Sequence, residues 1–486
     1  MIKEIQLEKE LTKPLYLQLY SQIKGLIEEG KLQAHDKLPS IRKLAKGLQV
    51  NTVTVVNGYN VLEEEGLVYK KVGSGTFIMP NEQIKDKIIP GEGQADDSEL
   101  KKEDEEVINF GTVAPSPSLF PIQAFKRLLN QVLDRDQGYA FGYQKSQGYL
   151  PLRESIAQYV ENYQIEIGAE QIQIVSGAQQ GLDVLAKTFL DYGDTVFVER
   201  PTYPGAISAF KSRKVELIDI PLEKDGLNLE ELEVLLKRYK PKFLYLMPNF
   251  QNPTGYSYSL KKKKELLKLA DQYELLIIED DCVSDLNYLG QPRKSLKALD
   301  TEDKVVYLKS FSKLYMPGLR LAFMIIPSSY CEDILVSKYL SDIFTDGLVQ
   351  RVLDLYLRRE DWQEQLNCLK EKYSQRYQVM ITALKEYLPP NVDYIEPEGG
   401  LNLWLKLPQQ VSATKLHKVL RKDGVNIAPG ALFYHTKPHK NRIRLSIAAV
   451  TCQQIEEGIQ QLGQRIREEL KEEGDYRFDE SMMPLV

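Results

Sequence analysis

The chain has 486 residues, of which 43% are hydrophobic and 27% charged, and its formal net charge is -6. That length predicts two or three domains, each able to bury a sizeable core. The mild acidity excludes a generic polyanion binder, so any nucleic-acid site must come from local charge. The four cysteines, Cys282, Cys331, Cys368 and Cys452, form no CxxC pair, which points to reduced thiols in the cytoplasm rather than a disulfide scaffold. The opening MIKEIQLEKELTK has no continuous apolar core and is not read as a signal peptide. No apolar run approaches the ~18 residues that suggest a membrane span.

From Pro14 a first helix is predicted, with Leu15, Leu19, Ile23, Leu26 and Ile27 on one face and Gly30 at its end. Ser40 follows Pro39 and is placed to cap a second helix, in which Ile41, Leu44, Ala45 and Leu48 form a core stripe. After a short turn, Asn51 or Thr52 caps a third helix. Val55, Tyr59 and Leu62 face its inside, and Thr52, Asn57 and Asn60 are left to face outward. Residues from Lys37 to Leu62 include four basic side chains and no acidic one. LVYKKVGSGTFI then reads as a β-hairpin with Lys70 and Lys71 on it and Gly75 near its tip. Two helices joined by so short a turn, followed by a basic hairpin, suit a winged helix-turn-helix whose second helix enters the major groove of double-stranded DNA. The candidate DNA-facing residues are Ser40, Arg42, Lys43, Asn51, Thr52, Thr54, Asn57 and Gly75.

The segment KLPSIRKLAKGLQVNTVTVVNGYNVLEEEGLVYKKVGSGTFI resembles the winged helix of the GntR family over nearly its whole length. The resemblance implies phosphate contacts from Ser40 and Arg42, base reading by the third helix, and Gly75 in the minor groove. Many members carry arginine where this chain has Thr52, so that position should contribute less to a phosphate or guanine contact.

Four regions follow from these features: a winged helix over 1–79, an acidic linker over 80–106, a large domain over 107–470 and a mobile tail over 471–486. In the large domain, helical patterns alternate with apolar runs: TVFVE (195–199), KFLYLMP (242–248), LLIIEDD (275–281), KVVYLKS (304–310) and RLAFMII (320–326). Such runs read as buried strands of a mostly parallel α/β sheet, with function at their carboxyl ends.

The chemistry gathers at those ends. Lys313, in YLKSFSKLYMPGLR, follows a strand and can form a Schiff base with an aldehyde. Ser310, Ser312 and Arg320 suit a phosphate dianion. VSGAQQG, with Gly177, Ala178 and Gln179, opens a helix whose N-terminus can bind an anion. Asp280 ends the LLIIEDD strand and can hold a pyridinium proton. Asn252 lies in the turn NFQNPTG, and Tyr203 can stack on an aromatic ring. His435 and His439 are separated by Pro438, and no metal site is read.

Together these segments resemble the fold-type I aminotransferases over roughly 107–470, with a small α+β subdomain at about 360–470. The resemblance implies pyridoxal 5'-phosphate bonded to Lys313, Asp280 on the ring nitrogen, Asn252 on the phenolic oxygen and Tyr203 stacked on the ring. It implies Gly177, Ala178, Gln179, Ser310, Ser312 and Arg320 around the phosphate. It also implies a homodimer in which Tyr143 reaches the neighbouring subunit's phosphate. In NRIRLS, Arg444 matches the arginine that grips an α-carboxylate, and Arg442 shares its strand face. In the family that the chain resembles, close relatives usually carry tyrosine two residues after the aspartate. This chain has Cys282, a weaker donor, which puts efficient transamination in doubt.

The whole arrangement resembles the MocR-type transcription regulators. That implies a cytoplasmic, DNA-binding homodimer on two half-sites, which senses pyridoxal phosphate or a small amino compound through the Schiff base at Lys313. The alternative is a working aminotransferase with an autoregulatory DNA-binding head.

Overall fold

The computed structural model describes residues 5, 7, 14–28, 31–32, 36–64, 67–71, 75–78, 107–288, 293–359, 361–436 and 441–479. The linker read at 80–106, Gly30, the wing tip at 72–74 and residues 480–486 lie outside them. The chain divides into two compact units, residues 1–91 and 92–486.

In the first unit, helix α1 spans Leu15–Glu28, α2 Ile41–Leu48 and α3 Thr52–Glu64, and strands β1 (Val68–Lys71) and β2 (Gly75–Ile78) pair antiparallel. The helices form because their apolar positions recur at helical spacing: Leu19, Ile23, Leu44, Val55, Tyr59 and Leu62 are all buried in one core. Ser40 caps α2, its hydroxyl accepting from the Lys43 N–H. Gln49 ends that helix in the left-handed region, with φ of 51°, and its N–H returns to the Ala45 carbonyl. Asn51 then caps α3: its Oδ1 accepts from the Val53 N–H at 3.0 Å. The turn between α2 and α3 is therefore three residues closed by local hydrogen bonds. The hydroxyl of Tyr59 donates to the Pro39 carbonyl at 2.8 Å and ties α3 back to the start of α2.

The second unit is built on an eight-stranded sheet. Its strands are β4 (Ile172–Val175), β5 (Thr195–Arg200), β6 (Glu216–Glu223), β7 (Gly226–Leu227), β8 (Leu244–Leu246), β9 (Ile277–Asp281), β10 (Val305–Ser310) and β11 (Ala322–Ile325). They lie in the order β4-β11-β10-β9-β8-β5-β6-β7. Strands β10, β9, β8, β5 and β6 are parallel to one another, whereas β11 runs antiparallel to both β10 and β4. This is the mainly parallel α/β sheet that the apolar runs predict, with one reversed strand inside it. Every residue of β4, β9, β10 and β11 is buried, as expected when helices cover both faces.

A second, four-stranded antiparallel sheet lies towards the C-terminus. It contains Asp393–Tyr394 (β12), Asn402–Lys406 (β13), Ala428–Pro429 (β15) and Arg442–Ser446 (β16). The helices Asp361–Tyr387 and Cys452–Asp479 accompany it. The latter continues past residue 471, where the sequence reading began a tail. One pairing adds to the subdomain read at 360–470: Ile108–Asn109 (β3) runs parallel to Val425–Asn426 (β14). The start of the large unit is thus part of its C-terminal layer.

Candidate functional site

Because β4, β5, β8, β9 and β10 share one direction, their carboxyl ends open on one edge of the sheet. Polar segments stand at these ends: Ser176–Gly177 after β4, Tyr203 after β5, Asn249–Gly255 after β8, Asp280–Cys282 across the end of β9 and Ser310–Lys313 across the end of β10. Ligands bind at such edges because backbone groups and helix N-termini there are not used by the sheet.

At the β9 end, Asp280 is buried. Its Oδ2 accepts from the Tyr245 hydroxyl at 2.7 Å and its Oδ1 from the Cys282 thiol at 3.1 Å. Burial pushes the carboxyl up to about 6, while those two donors and the nearby Lys313 charge oppose the rise. Burial and the Asp280 charge raise the Cys282 thiol. Cys282 therefore stays a neutral donor to Asp280.

At the β4 end, Gly177 has φ of +90° and caps the helix Ala178–Phe189. A Cβ there would lie 2.5 Å from Nη2 of Arg320. Only glycine admits both this conformation and this approach. Arg320 itself is left-handed, with φ of 50°, and donates to the Ser176 carbonyl at 3.2 Å. Gln179 donates to the Gly205 carbonyl at 3.0 Å, beside Tyr203, which caps the helix Pro204–Lys211. The Ser310 hydroxyl lies 3.1 Å from that of Ser312. Backbone N–H groups at a helix start, two hydroxyls and a guanidinium form a cradle with the donor set of a phosphate site.

Across the edge, Arg444 is buried on β16. Its Nη1 donates to Asn252 Oδ1 at 3.0 Å, its Nη2 donates to the Gly111 carbonyl, and the guanidinium lies 5.1 Å from the Phe433 ring centroid. Arg442, two residues earlier, is half-buried and makes none of these contacts. Of the two arginines named from the sequence, Arg444 is thus the one that reaches the Asn252 turn.

The Asn252 turn is held from below. Buried Glu199 accepts from Tyr258 (2.6 Å), Gln251 (3.0 Å) and the Met247 N–H (3.2 Å). The Gln251 carbonyl oxygen accepts in turn from the Thr254 N–H at 3.0 Å and its hydroxyl at 2.7 Å. Burial pushes Glu199 up to about 8.

Tyr143 stands apart from these clusters. It is 89% exposed, and its ring packs edge-on against Phe344 at 5.6 Å. Tyr245, Glu199 and Gly111 were missed by sequence reasoning. The signal for Tyr245 was a hydroxyl inside an apolar strand, which needs a buried partner. In the first unit Arg42, Lys43, Asn51, Thr52, Asn57 and Gly75 are exposed and Ser40 and Thr54 are at least partly so. The side chains of Lys70 and Lys71 lie outside the described residues.

Residues 105–462 match the family Aminotransferase class I and II, and residues 15–78 match Bacterial regulatory proteins, gntR family. The chain is 29% identical over 487 residues to the uncharacterized HTH-type transcriptional regulator YdfD of Bacillus subtilis, covering 95% of this chain and 98% of that protein. It is 26% identical over 470 residues to the probable rhizopine catabolism regulatory protein MocR of Rhizobium meliloti, covering 94% of each. Among solved structures it resembles the Pyrococcus horikoshii kynurenine aminotransferase with a TM-score of 0.73 and 34% identity, over 78% of this chain and 96% of that one. The chain therefore belongs to the class I and II aminotransferases of fold-type I, fused to an N-terminal GntR helix-turn-helix in the manner of the MocR-type regulators.

Proposed function

We propose that this chain is a cytoplasmic transcriptional regulator that binds pyridoxal phosphate at Lys313 and responds to the cofactor itself or to a small amino compound. The observation that carries the reading is the coexistence in one chain of a helix-turn-helix with exposed polar side chains and a sheet edge with a phosphate-type cradle, a buried carboxylate and, three residues beyond β10, a lysine. When bound, pyridoxal phosphate supplies an aldehyde that condenses with amines. Gly177, Ala178, Gln179, Ser310, Ser312 and Arg320 would hold its phosphate, and Tyr203 and Asn252 its ring. Asp280 would keep a proton on the ring nitrogen. Arg444 would orient a ligand carboxylate.

The proposal extends to a homodimer on two DNA half-sites. Tyr139, Phe141 and Tyr143 expose large apolar surfaces along one short stretch, which supports a subunit contact there. For an effector to regulate, it must favour one state of the protein over another.

The test begins with the visible absorption of the purified protein. A cofactor band absent from Lys313→Ala would support the site, and no band in the wild-type protein after loading would remove it. Promoter affinity is then measured with and without pyridoxal phosphate and candidate amines; equal affinities throughout would sink the sensing role. The kynurenine aminotransferase likeness favours a second reading, an active transaminase. Multiple turnovers with an amino donor and a keto acid at about 1 s⁻¹ or more would support it.

A further inference from the structure

The outward stripe of α3 has an unusual composition for a DNA reader. Val53, Val56, Asn57 and Asn60 fall within one helical face, opposite the buried Val55, Tyr59 and Leu62. Val53 is 58% exposed, and Asn57 is exposed. From Thr52 to Glu64 the helix contains neither lysine nor arginine. Among the described residues of this unit the exposed cations are Arg42, Lys43 and Lys46 on α2 and Lys31 and Lys37 before it.

This composition restricts what the helix can read. Guanine is recognised in the major groove chiefly by arginine or lysine on O6 and N7, whereas asparagine pairs with adenine N6 and N7 and apolar groups pack on the thymine methyl. Val53 is suited to the last task. Its N–H is held by Asn51 Oδ1 at 3.0 Å, so the first turn is pinned. Its branched Cβ allows few χ1 states. The result is a stiff apolar surface in water at the end of the helix that enters the groove.

From this stripe we propose that α3 selects A·T pairs, with Val53 packed on a thymine methyl and Asn57 paired with an adenine. The inference rests on the DNA-binding reading and adds the base class that the helix recognises. Arg42, Lys43 and Lys46 then supply affinity through phosphates, without base preference.

The test is in vitro selection of duplexes from a random library by the full-length protein, with and without pyridoxal phosphate. Conserved thymines and adenines are expected in each half-site. Each conserved thymine is then replaced by deoxyuridine, which removes only the methyl group. One replacement per half-site should weaken wild-type binding roughly threefold to fivefold and leave Val53→Ala binding unchanged. Asn57→Ala should reduce the preference for adenine at one position about tenfold. Binding to selected sites with no deoxyuridine effect at any thymine, or an effect that persists in Val53→Ala, would overturn the inference while leaving DNA binding intact. Failure to bind any duplex at low salt would overturn the DNA-binding reading and this inference with it.

Discussion

The thiol of Cys282 donates to Oδ1 of Asp280 at 3.1 Å, and Tyr245 takes the other carboxylate oxygen. The Cys282 thiol is therefore engaged by the aspartate. Burial raises Asp280 to about 6, and the two donors hold it from rising further. A protonated ring nitrogen needs this carboxylate ionised, so pyridoxal phosphate affinity should fall by up to tenfold per unit as pH drops below about 6. Cys282→Ala removes one donor and should move the onset of that fall to higher pH. The phosphate of the cofactor titrates in the same range, but identically for both proteins, so their difference isolates Asp280. Superimposable affinity profiles from pH 5 to 8 would dismiss the Cys282 role.

The Arg444 guanidinium meets Asn252 and Gly111, whereas Arg442 meets neither. Spectral titration of the cofactor-loaded protein with amino acids should show Arg444→Ala weakened roughly 30-fold or more, the scale of losing a buried charged hydrogen-bonding group. Arg442→Ala should stay within about threefold. Equal losses in the two variants would count against the assignment.

Glu199 is held near 8 by burial. Between an ordinary carboxylate value of about 4.3 and about 8, the folded chain keeps this proton and the unfolded chain has released it. Stability should therefore fall as pH rises through that window. Glu279, raised to about 7 by burial and by the Asp281 charge, acts in the same direction. Glu199→Gln presents the same shape without the charge and can still donate to Tyr258. Thermal unfolding of the cofactor-free protein at fixed ionic strength should show a shallower decline from pH 5 to 8 in this variant. Parallel declines would show that Glu199 is ionised in the folded state.

Arg42 is exposed in the first turn of α2. Arg42→Ala should weaken DNA binding by a similar factor on every sequence and lower the salt slope by about one. An unchanged slope would remove Arg42 from the phosphate contacts.

Much of this arrangement was legible in the residues. The runs ending at Glu199, Asp281 and Ser310 became β5, β9 and β10, because a strand buried on both faces must be apolar throughout. Ser40 as a cap, a short turn after α2 and the inward Tyr59 followed from local spacing alone. Other features depend on partners far along the chain. RLAFMII looks like any buried strand, and nothing local marks β11 as reversed. The pairing of Ile108 with Val425 joins residues from opposite ends of the unit. Tyr245 and Glu199 sit in apolar runs, and only the fold brings Asp280 and Gln251 to them.

The Gly111 carbonyl held by Arg444 has a further consequence. It lies just beyond β3, whose Ile108 is one residue past the point where the linker joins the large unit. A ligand that takes the Arg444 guanidinium for its own carboxylate competes with that carbonyl. The grip on the first residues after the linker would then loosen or shift. Such a displacement would be felt at residues 108–111, where the Ile108–Val425 pairing also fixes the start of the large unit.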